Sequence, residues 1–325
     1  MTAGASLVLD VHGVAVDVRS DHPALAELVA RRLAFFSEAA SAGDAVRLEL
    51  RATDAHLVER PEGPVRPVYE PETGEVLYAE EHDALYVDYG RVRALVRAAA
   101  GSALVSVLEP VEEVAWAATR PLVTLPLLEL LKRRGVFGVH AAGVALDGRG
   151  VALAGTSGSG KTTLAVALAL AGFDLLGDDM LFVRSEGSEA VLLAFPDELD
   201  LSETTVSFFP ELEARLRPEA LAGAAKRQLD ATALEAGVAA DARARLVLFP
   251  QIASPGDPSA VEPLSADEAL LELAPNVLLT EPSSSQRHLE ALGSLVRAGR
   301  CFRLTTGRDF DHAAEIVREL LERGT

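Results

Sequence analysis

Gly155-Thr156-Ser157-Gly158-Ser159-Gly160-Lys161-Thr162 lies between one apolar run, residues 151–154, and a second that follows Thr163. The octapeptide fits the pattern G-x-x-x-x-G-K-[ST], which a chain of this composition would match by chance roughly 0.002 times. The short apolar run before it predicts a strand, and the longer one after it predicts a helix. Further segments of both kinds alternate along residues 121–325, which predicts an α/β fold for this part of the chain.

The residue types in this octapeptide suit phosphate binding. Glycines let the backbone curl so that its N–H groups point inward, and a helix that starts at the loop adds unpaired N–H groups and a favourable dipole. Lys161 would place its charge between the β- and γ-phosphates, and Thr162 would offer its hydroxyl to Mg²⁺. The sequence therefore predicts a site for ATP or GTP with Mg²⁺, formed by Gly155, Thr156, Ser157, Gly158, Ser159, Gly160, Lys161, Thr162 and Thr163; we take ATP as the nucleotide.

Polar residues elsewhere are candidate partners of this loop. Asp178 and Asp179 end a predicted strand, residues 173–177, where carboxylates can hold Mg²⁺ or deprotonate an acceptor hydroxyl. His140 precedes the strand that leads to the loop and is a candidate contact for a phosphate or a carboxylate. Lys226 and Arg227 form a compact basic pair and are candidate contacts for the phosphate or the acceptor; a solvated helix face is the alternative.

Composition narrows the classes of partner. The net charge is −19, from 30 basic and 49 acidic residues. Such a surface repels nucleic acid and anionic membranes, so neither is expected as a partner. The single cysteine, Cys301, fits a reducing compartment, and residues 1–4 show no export pattern, so a cytoplasmic location is expected. No membrane-spanning helix is predicted, because even the best candidate, residues 164–176, is short and interrupted. A homo-oligomer is compatible with the sequence, which carries no signal for or against it.

The chain is predicted to form two domains, residues 1–120 and 121–325. The first has several short alternating segments and one helical pattern, which predicts a small β-rich α+β domain of unknown role. Residues 61–72, rich in Pro and Glu, are predicted to be a loop. In the second domain, Ser265 and Ser283 begin capping-box sequences, and Asp311 is predicted to cap the last helix, which ends near residue 324.

The set formed by His140, the glycine-rich octapeptide and Asp178-Asp179 resembles the catalytic domain of HPr serine kinase/phosphorylase over about residues 136–183. The resemblance implies a P-loop kinase fold related to HPr kinase and phosphoenolpyruvate carboxykinase, with His140 and Lys161 at the active site. It also implies that one aspartate is the base and the other lies near the metal. We predict Asp178 as the base, and Thr162 and Asp179 as the metal ligands. Residues 195–210 do not match the Glu- and Gly-containing segment of the family, which predicts an acceptor other than HPr.

Three functions remain open from the sequence. The first is an ATP-dependent kinase acting on a hydroxyl of a peptide, a protein or a small metabolite. The second is a nucleotide-binding switch that hydrolyses ATP slowly, and the third is carboxykinase chemistry on a metabolite. A GTPase switch needs an Asn-Lys-x-Asp motif that recognises the guanine base. The only asparagine in the sequence, Asn276, is followed by Val277, so this motif is absent. The sequence identifies neither the acceptor nor a preference between ATP and GTP.

Overall fold

The structure is a computed structural model that describes residues 5–39, 43–71, 73–196, 198–217, 226–234 and 236–323. These residues divide into two compact units. The described residues up to Val136, together with Leu278–Gln286, form the first unit. The second contains the described residues of Phe137–Ala220, Lys226–Val277 and Arg287 onward.

The first unit contains an eight-stranded sheet and three α-helices. The strands are β1 (Ala5–Val11), β2 (Val14–Ser20), β3 (Val46–Thr53), β4 (Val65–Tyr69), β5 (Glu75–Ala79), β6 (Ala84–Asp88), β7 (Val92–Arg97) and β8 (Ser102–Leu108). Their order in the sheet is β1-β2-β3-β8-β7-β6-β5-β4. The helices are α1 (Pro23–Arg32), α2 (Ala115–Thr119) and α3 (Pro121–Lys132). Strands β1 and β2 form a hairpin at His12 and Gly13, both of which have the positive φ that a two-residue turn favours.

The second unit is built on a nine-stranded mixed sheet. Its elements are β9 (Phe137–Val139), β10 (Ala141–Leu146), β11 (Arg149–Ala154), α4 (Lys161–Leu170), β12 (Asp174–Gly177), β13 (Leu181–Glu186), β14 (Glu189–Leu193), β15 (Leu199–Leu201), α5 (Glu203–Phe208), β16 (Arg227–Leu229), β17 (Asp241–Ile252), β18 (Ala260–Leu264), α6 (Ala266–Leu273), β19 (Arg300–Thr306) and α8 (Phe310–Glu322). Helix α7 (Pro282–Ala298) begins in the segment assigned to the first unit and continues in the second.

Strands β11, β17 and β19 are parallel neighbours in this sheet, so their carboxyl ends lie at one edge. Along β11 the side chains alternate between two apolar cores. Val151 and Leu153 belong to the core that includes α4 and α8, whereas Ala152 and Ala154 belong to the core that includes α6 and α7. The sheet is thus covered on both faces, as expected for an α/β fold. A separate two-stranded sheet pairs β15 with β16.

Several sequence predictions differ from the structure. The predicted loop over residues 61–72 contains strand β4, which pairs with β5; Glu72 itself lies outside the described residues. The described part of residues 1–120 has two α-helices, α1 and α2, rather than one, and the first unit extends past the predicted boundary at residue 120 to include α3. The reason is that the apolar helix α3 packs against strands β3, β6, β7 and β8 of the first sheet.

Helix termini were predicted with mixed success. The capping box at Ser265 is confirmed, with the Ser265 hydroxyl and the Glu268 carboxylate bonded reciprocally to the helix N-terminus. Helix α7 begins one residue before Ser283, and Glu281 accepts bonds from the amides of Ser283 and Ser284 instead. The last helix begins at Phe310, so Asp309 rather than Asp311 occupies the N-cap position. The helix ends at Glu322, close to the predicted end near residue 324.

One apolar helical segment, Val111–Lys132, is long enough by length and composition to cross a membrane, contrary to the sequence prediction. In the structure, 67% of the 18-residue apolar stretch within this segment is buried. The segment also breaks at Arg120, whose φ of −83° and ψ of −86° are not helical. Its apolar surface is therefore accounted for largely by packing within the first unit.

Candidate functional site

The loop over residues 155–160, here called the glycine loop, connects β11 to α4 at the carboxyl edge of the parallel strands. Gly158 and Gly160 have φ values of 81° and 100°, which residues with a Cβ atom rarely adopt. Helix α4 begins directly after Gly160, so the amides of its first turn lack intrahelical partners and face the loop. A concave backbone that ends in a helix N-terminus favours an anion.

Lys161 is buried and turns back onto this loop. Its Nζ donates to the carbonyl oxygens of Gly155, at 2.8 Å, and Thr156, at 3.1 Å. Burial lowers the pKa of Lys161, while the charges of Asp179 and Asp178 act in the opposite direction. The ammonium group is thus held inside the glycine loop, in the electrostatic field of both aspartates.

Asp178 follows β12 and is buried, with 6% of the residue exposed. Its carboxyl group accepts a hydrogen bond from the Thr162 hydroxyl, and its Oδ1 has no hydrogen-bond partner among the described residues. The pKa of Asp178 is raised to about 7, because burial and the nearby charge of Asp179 raise it more than the hydrogen bond from Thr162 lowers it. A buried oxygen without a partner is costly, so this oxygen is a candidate contact for a ligand.

Asp179 points the other way, with 79% of its side chain exposed. The Nδ1 of His140 lies 3.0 Å from the Asp179 carbonyl oxygen and 3.3 Å from its Oδ1. The backbone of His140 is fixed in turn, because its amide donates to the carbonyl oxygen of Asn276 at 2.8 Å. The sequence-adjacent aspartates therefore face different surroundings, one beside Thr162 and the other open to solvent beside His140.

The remaining predicted loop residues have differing environments. Thr156, Ser157 and Gly158 are exposed at the outer side of the loop. The Ser159 Oγ is buried and has no partner within the described part of the chain. The Thr163 hydroxyl lies 2.9 Å from the Thr205 hydroxyl on α5, so its side chain is engaged away from the loop.

The two basic residues predicted to contact the phosphate or the acceptor, Lys226 and Arg227, have different surroundings. Lys226 is exposed, and its positive charge contributes a lowering effect to the pKa of Lys161 and a smaller opposing effect to the raised pKa of Asp178, so it lies near both groups. Arg227 lies on β16, and its Nη1 is paired with Glu213 at 2.9 Å. The segment that carries both residues, 201–230, is the part of the sequence expected to form a wall of the acceptor site, and its residues 218–225 lie outside the described residues.

Asp200 is a residue near the site that was not predicted from the sequence. This residue lies on β15, and its negative charge contributes to the raised pKa of Asp178. Its Oδ1 accepts a bond at 3.3 Å from Nε2 of the buried Gln228 on the paired strand β16. The polar residue between Leu199 and Leu201 was the available signal. Its position near Asp178 depends on a pairing of distant segments that no local pattern indicates.

No family model and no curated protein matches the chain. Among solved structures, the Hpr(Ser) kinase/phosphatase from Coxiella burnetii is a weak neighbour, with a TM-score of 0.29 and 13% sequence identity. The match covers 57% of this chain and 94% of that chain. The resemblance predicted from the sequence thus has a weak structural counterpart, which assigns no role to any residue.

Proposed function

We propose that the chain is an ATP-dependent kinase that transfers the γ-phosphoryl group of ATP to a hydroxyl acceptor. The observation that carries the proposal is the convergence of Lys161, Thr162, Asp178 and Asp179 at the glycine loop, with His140 against the second aspartate. Phosphoryl transfer requires chiefly the positioning of two reactants and the stabilisation of negative charge. These residues offer groups of the kinds required for both.

The glycine loop and the first turn of α4 are proposed to bind the phosphates through backbone amides. Lys161 then exchanges its bonds to the carbonyls of Gly155 and Thr156 for bonds to phosphate oxygens. A charge-assisted bond to an anion is stronger than a bond to a neutral carbonyl, which favours this exchange. In the absence of nucleotide the two carbonyls keep the buried ammonium group hydrogen-bonded.

Thr162 and Asp178 fit the binding of Mg²⁺ together with the phosphates. Mg²⁺ prefers oxygen donors and is commonly held by one or two carboxylates, water and substrate phosphates. The unpartnered Oδ1 of Asp178 beside the Thr162 hydroxyl supplies this chemistry. Among the described residues no group of three or more His, Cys, Asp or Glu side chains could hold a metal ion. The bound ion would supply charge neutralisation to the phosphates.

This proposal exchanges the roles that the sequence analysis gave to the two aspartates. Asp178, predicted as the base, is buried beside Thr162, whereas Asp179, predicted as a metal ligand, is open to solvent. We assign the base to Asp179, because an incoming acceptor can reach an exposed carboxylate. The acceptor oxygen attacks the γ-phosphorus, its proton passes to Asp179, and ADP leaves. His140 would orient the Asp179 carboxylate.

The acceptor is proposed to be a serine or threonine of a peptide or protein, or a small hydroxylated metabolite. The cytoplasm is its proposed location. Lys226 is exposed and adds a positive charge near Lys161 and Asp178, where it would steady the transferring group. Arg227 is less suited to this role, since its guanidinium group is paired with Glu213.

The test offers ATP labelled in the γ-phosphate, with Mg²⁺, to purified HPr, to peptides and to hydroxylated metabolites, and identifies labelled products by mass. We expect transfer to a hydroxyl acceptor other than HPr. Lys226→Ala should lower the transfer rate about tenfold, whereas the neighbouring Arg227→Ala should change it little. ATP hydrolysis without transfer to any acceptor would refute the kinase in favour of a nucleotide-dependent switch. Efficient phosphorylation of HPr would refute the acceptor assignment.

A further inference from the structure

An isoleucine with most of its surface exposed lies at the rim of the glycine loop. Ile252 is the last residue of β17, and 72% of it is exposed. A Cβ atom placed on Gly160 would lie 3.8 Å from Cγ1 of Ile252, so the side chain borders the loop directly. A large apolar side chain left open beside a polar loop gains free energy when a ligand covers it.

The strand pattern explains why Ile252 reaches this position. Strand β11 pairs in parallel with β17 as far as Leu153 and Leu248, and β11 then ends at Ala154. Strand β17 continues to Ile252, so its last residues extend along the loop. Ligands of open α/β sheets bind beyond the carboxyl ends of parallel strands, where Ile252 lies.

The backbone beneath Ile252 is firmly held. The amide of Ala253 donates to the carbonyl oxygen of Thr306 at 3.0 Å, which joins the ends of β17 and β19. A few residues further on, the Asp309 carboxylate accepts bonds from both the amide and the hydroxyl of the buried Ser259. The Ser259 hydroxyl also accepts a bond from the Gly307 amide at 3.0 Å. Because these bonds tie the two segments together, Ile252 presents a preorganised apolar surface.

We propose that Ile252 is the platform on which the nucleoside part of ATP rests while the glycine loop holds its phosphates. This inference rests on the proposed function and adds the nucleoside subsite to it. An aliphatic side chain covers a sugar or base face without reading the hydrogen-bonding edge of the base. This contact by itself therefore gives no preference between adenine and guanine nucleotides.

The test separates nucleoside binding from phosphate binding. Calorimetry with the full chain measures the affinity, in the presence of Mg²⁺, for the β,γ-imido analogues of ATP and GTP and for inorganic tripolyphosphate. Ile252→Ser should weaken both nucleotide analogues about tenfold and leave tripolyphosphate binding unchanged. Ile252→Val should retain most of the affinity, which guards against a general effect of substitution at this position.

Leu271 on α6 provides the matched control, because 75% of it is exposed and the same change, Leu271→Ser, removes an apolar side chain of similar size. Leu271→Ser should change neither the affinity for the two nucleotide analogues nor the affinity for tripolyphosphate. If Ile252→Ser weakens tripolyphosphate as much as the nucleotides, or weakens neither, the platform is refuted while the phosphate site stands. A higher KM for the acceptor with unchanged nucleotide affinity would place Ile252 in the acceptor site and likewise refute it. Failure of the wild type to bind any of the three probes would refute the proposed function together with the platform.

Discussion

Asp178 and Asp179 differ most sharply in their access to solvent, and this difference determines what each can do. Successive residues that leave a strand tend to point to opposite sides, so one carboxylate lies beside Thr162 and the other beside His140. The first is enclosed with an unpartnered oxygen, and the second is open to an acceptor. The proposed mechanism depends on this difference, because it uses the buried carboxylate for Mg²⁺ and the exposed carboxylate as the base.

Substitution of each aspartate by asparagine separates the two roles. Asp179→Asn should lower kcat by about 10²–10⁴-fold with little change in the Mg²⁺ concentration needed for half-maximal rate, because it removes the base. Asp178→Asn should instead raise the Mg²⁺ requirement, because an amide oxygen is a weaker ligand than a carboxylate. Transfer rates measured over a Mg²⁺ titration distinguish the two effects. The reverse pattern would restore the assignment predicted from the sequence, and wild-type kinetics in both variants would remove the pair from the mechanism.

The residues of the loop could be predicted, whereas the orientation of the aspartate pair could not. The glycine loop is a contiguous motif whose glycines and lysine are dictated by local chemistry. Which aspartate turns inward depends on how β12 pairs with β10, and that pairing shifts register between Gly143 and Val144. Such an irregularity arises from tertiary packing and leaves no signal in the sequence around Asp178.

The N-terminus of helix α7 shows how an ionised side chain can stabilise the start of a helix. Burial opposes ionisation of Glu281, but bonds from the amides and hydroxyls of Ser283 and Ser284 outweigh it and lower its pKa to about 2 from 4.5. Glu281 also pairs with Arg133 at 3.1 Å within the first unit. A depressed carboxyl pKa stabilises the fold above pH 4.5, and the contribution disappears as the pH falls toward 2.

Glu281→Gln should therefore lower the free energy of unfolding by about 1 kcal/mol at pH 7, a typical value for a helix cap. The difference from wild type should be smaller at pH 3, because the wild-type carboxyl then stabilises the fold less. Denaturant unfolding at the two pH values measures both differences. Glu27→Gln, an exposed change within α1 of the same unit, is the control and should have little effect at either pH. A loss that is independent of pH would contradict a role for the Glu281 charge.

Elements with strong local patterns were predicted well, and short strands held by distant partners were not. Helix α4 and strand β11 follow from apolar runs on either side of the loop, and the capping box of α6 follows from Ser265 and Glu268. Strands β15 and β16 have three residues each and pair with one another although they are distant in the sequence. Their sequences carry too few residues for a periodic signal.

For the whole molecule, the sequence indicated two parts but misplaced the apolar helix between them. Helix α3 is apolar around most of its surface, which fits burial in either part, and its contacts with the first sheet assign it to the first unit. It also carries the buried pair Glu129–Lys132, whose charged groups lie 2.7 Å apart. A pattern of hydrophobic residues shows that a helix is buried but does not show which sheet covers it.

The proposed function requires, before anything else, that the whole chain binds a nucleotide. Calorimetry measures the affinity for Mg²⁺ and the β,γ-imido analogue of ATP in the wild type and in Lys161→Ala, with Lys161→Met as the control that keeps the aliphatic length. We predict saturable binding at one site in the wild type and a loss of at least about tenfold in both variants, because each lacks the charge that meets the phosphates. Both variants should retain the wild-type circular dichroism spectrum. Absence of saturable binding by the wild type, or an unchanged affinity in Lys161→Ala, would contradict the assignment of the glycine loop as a nucleotide site.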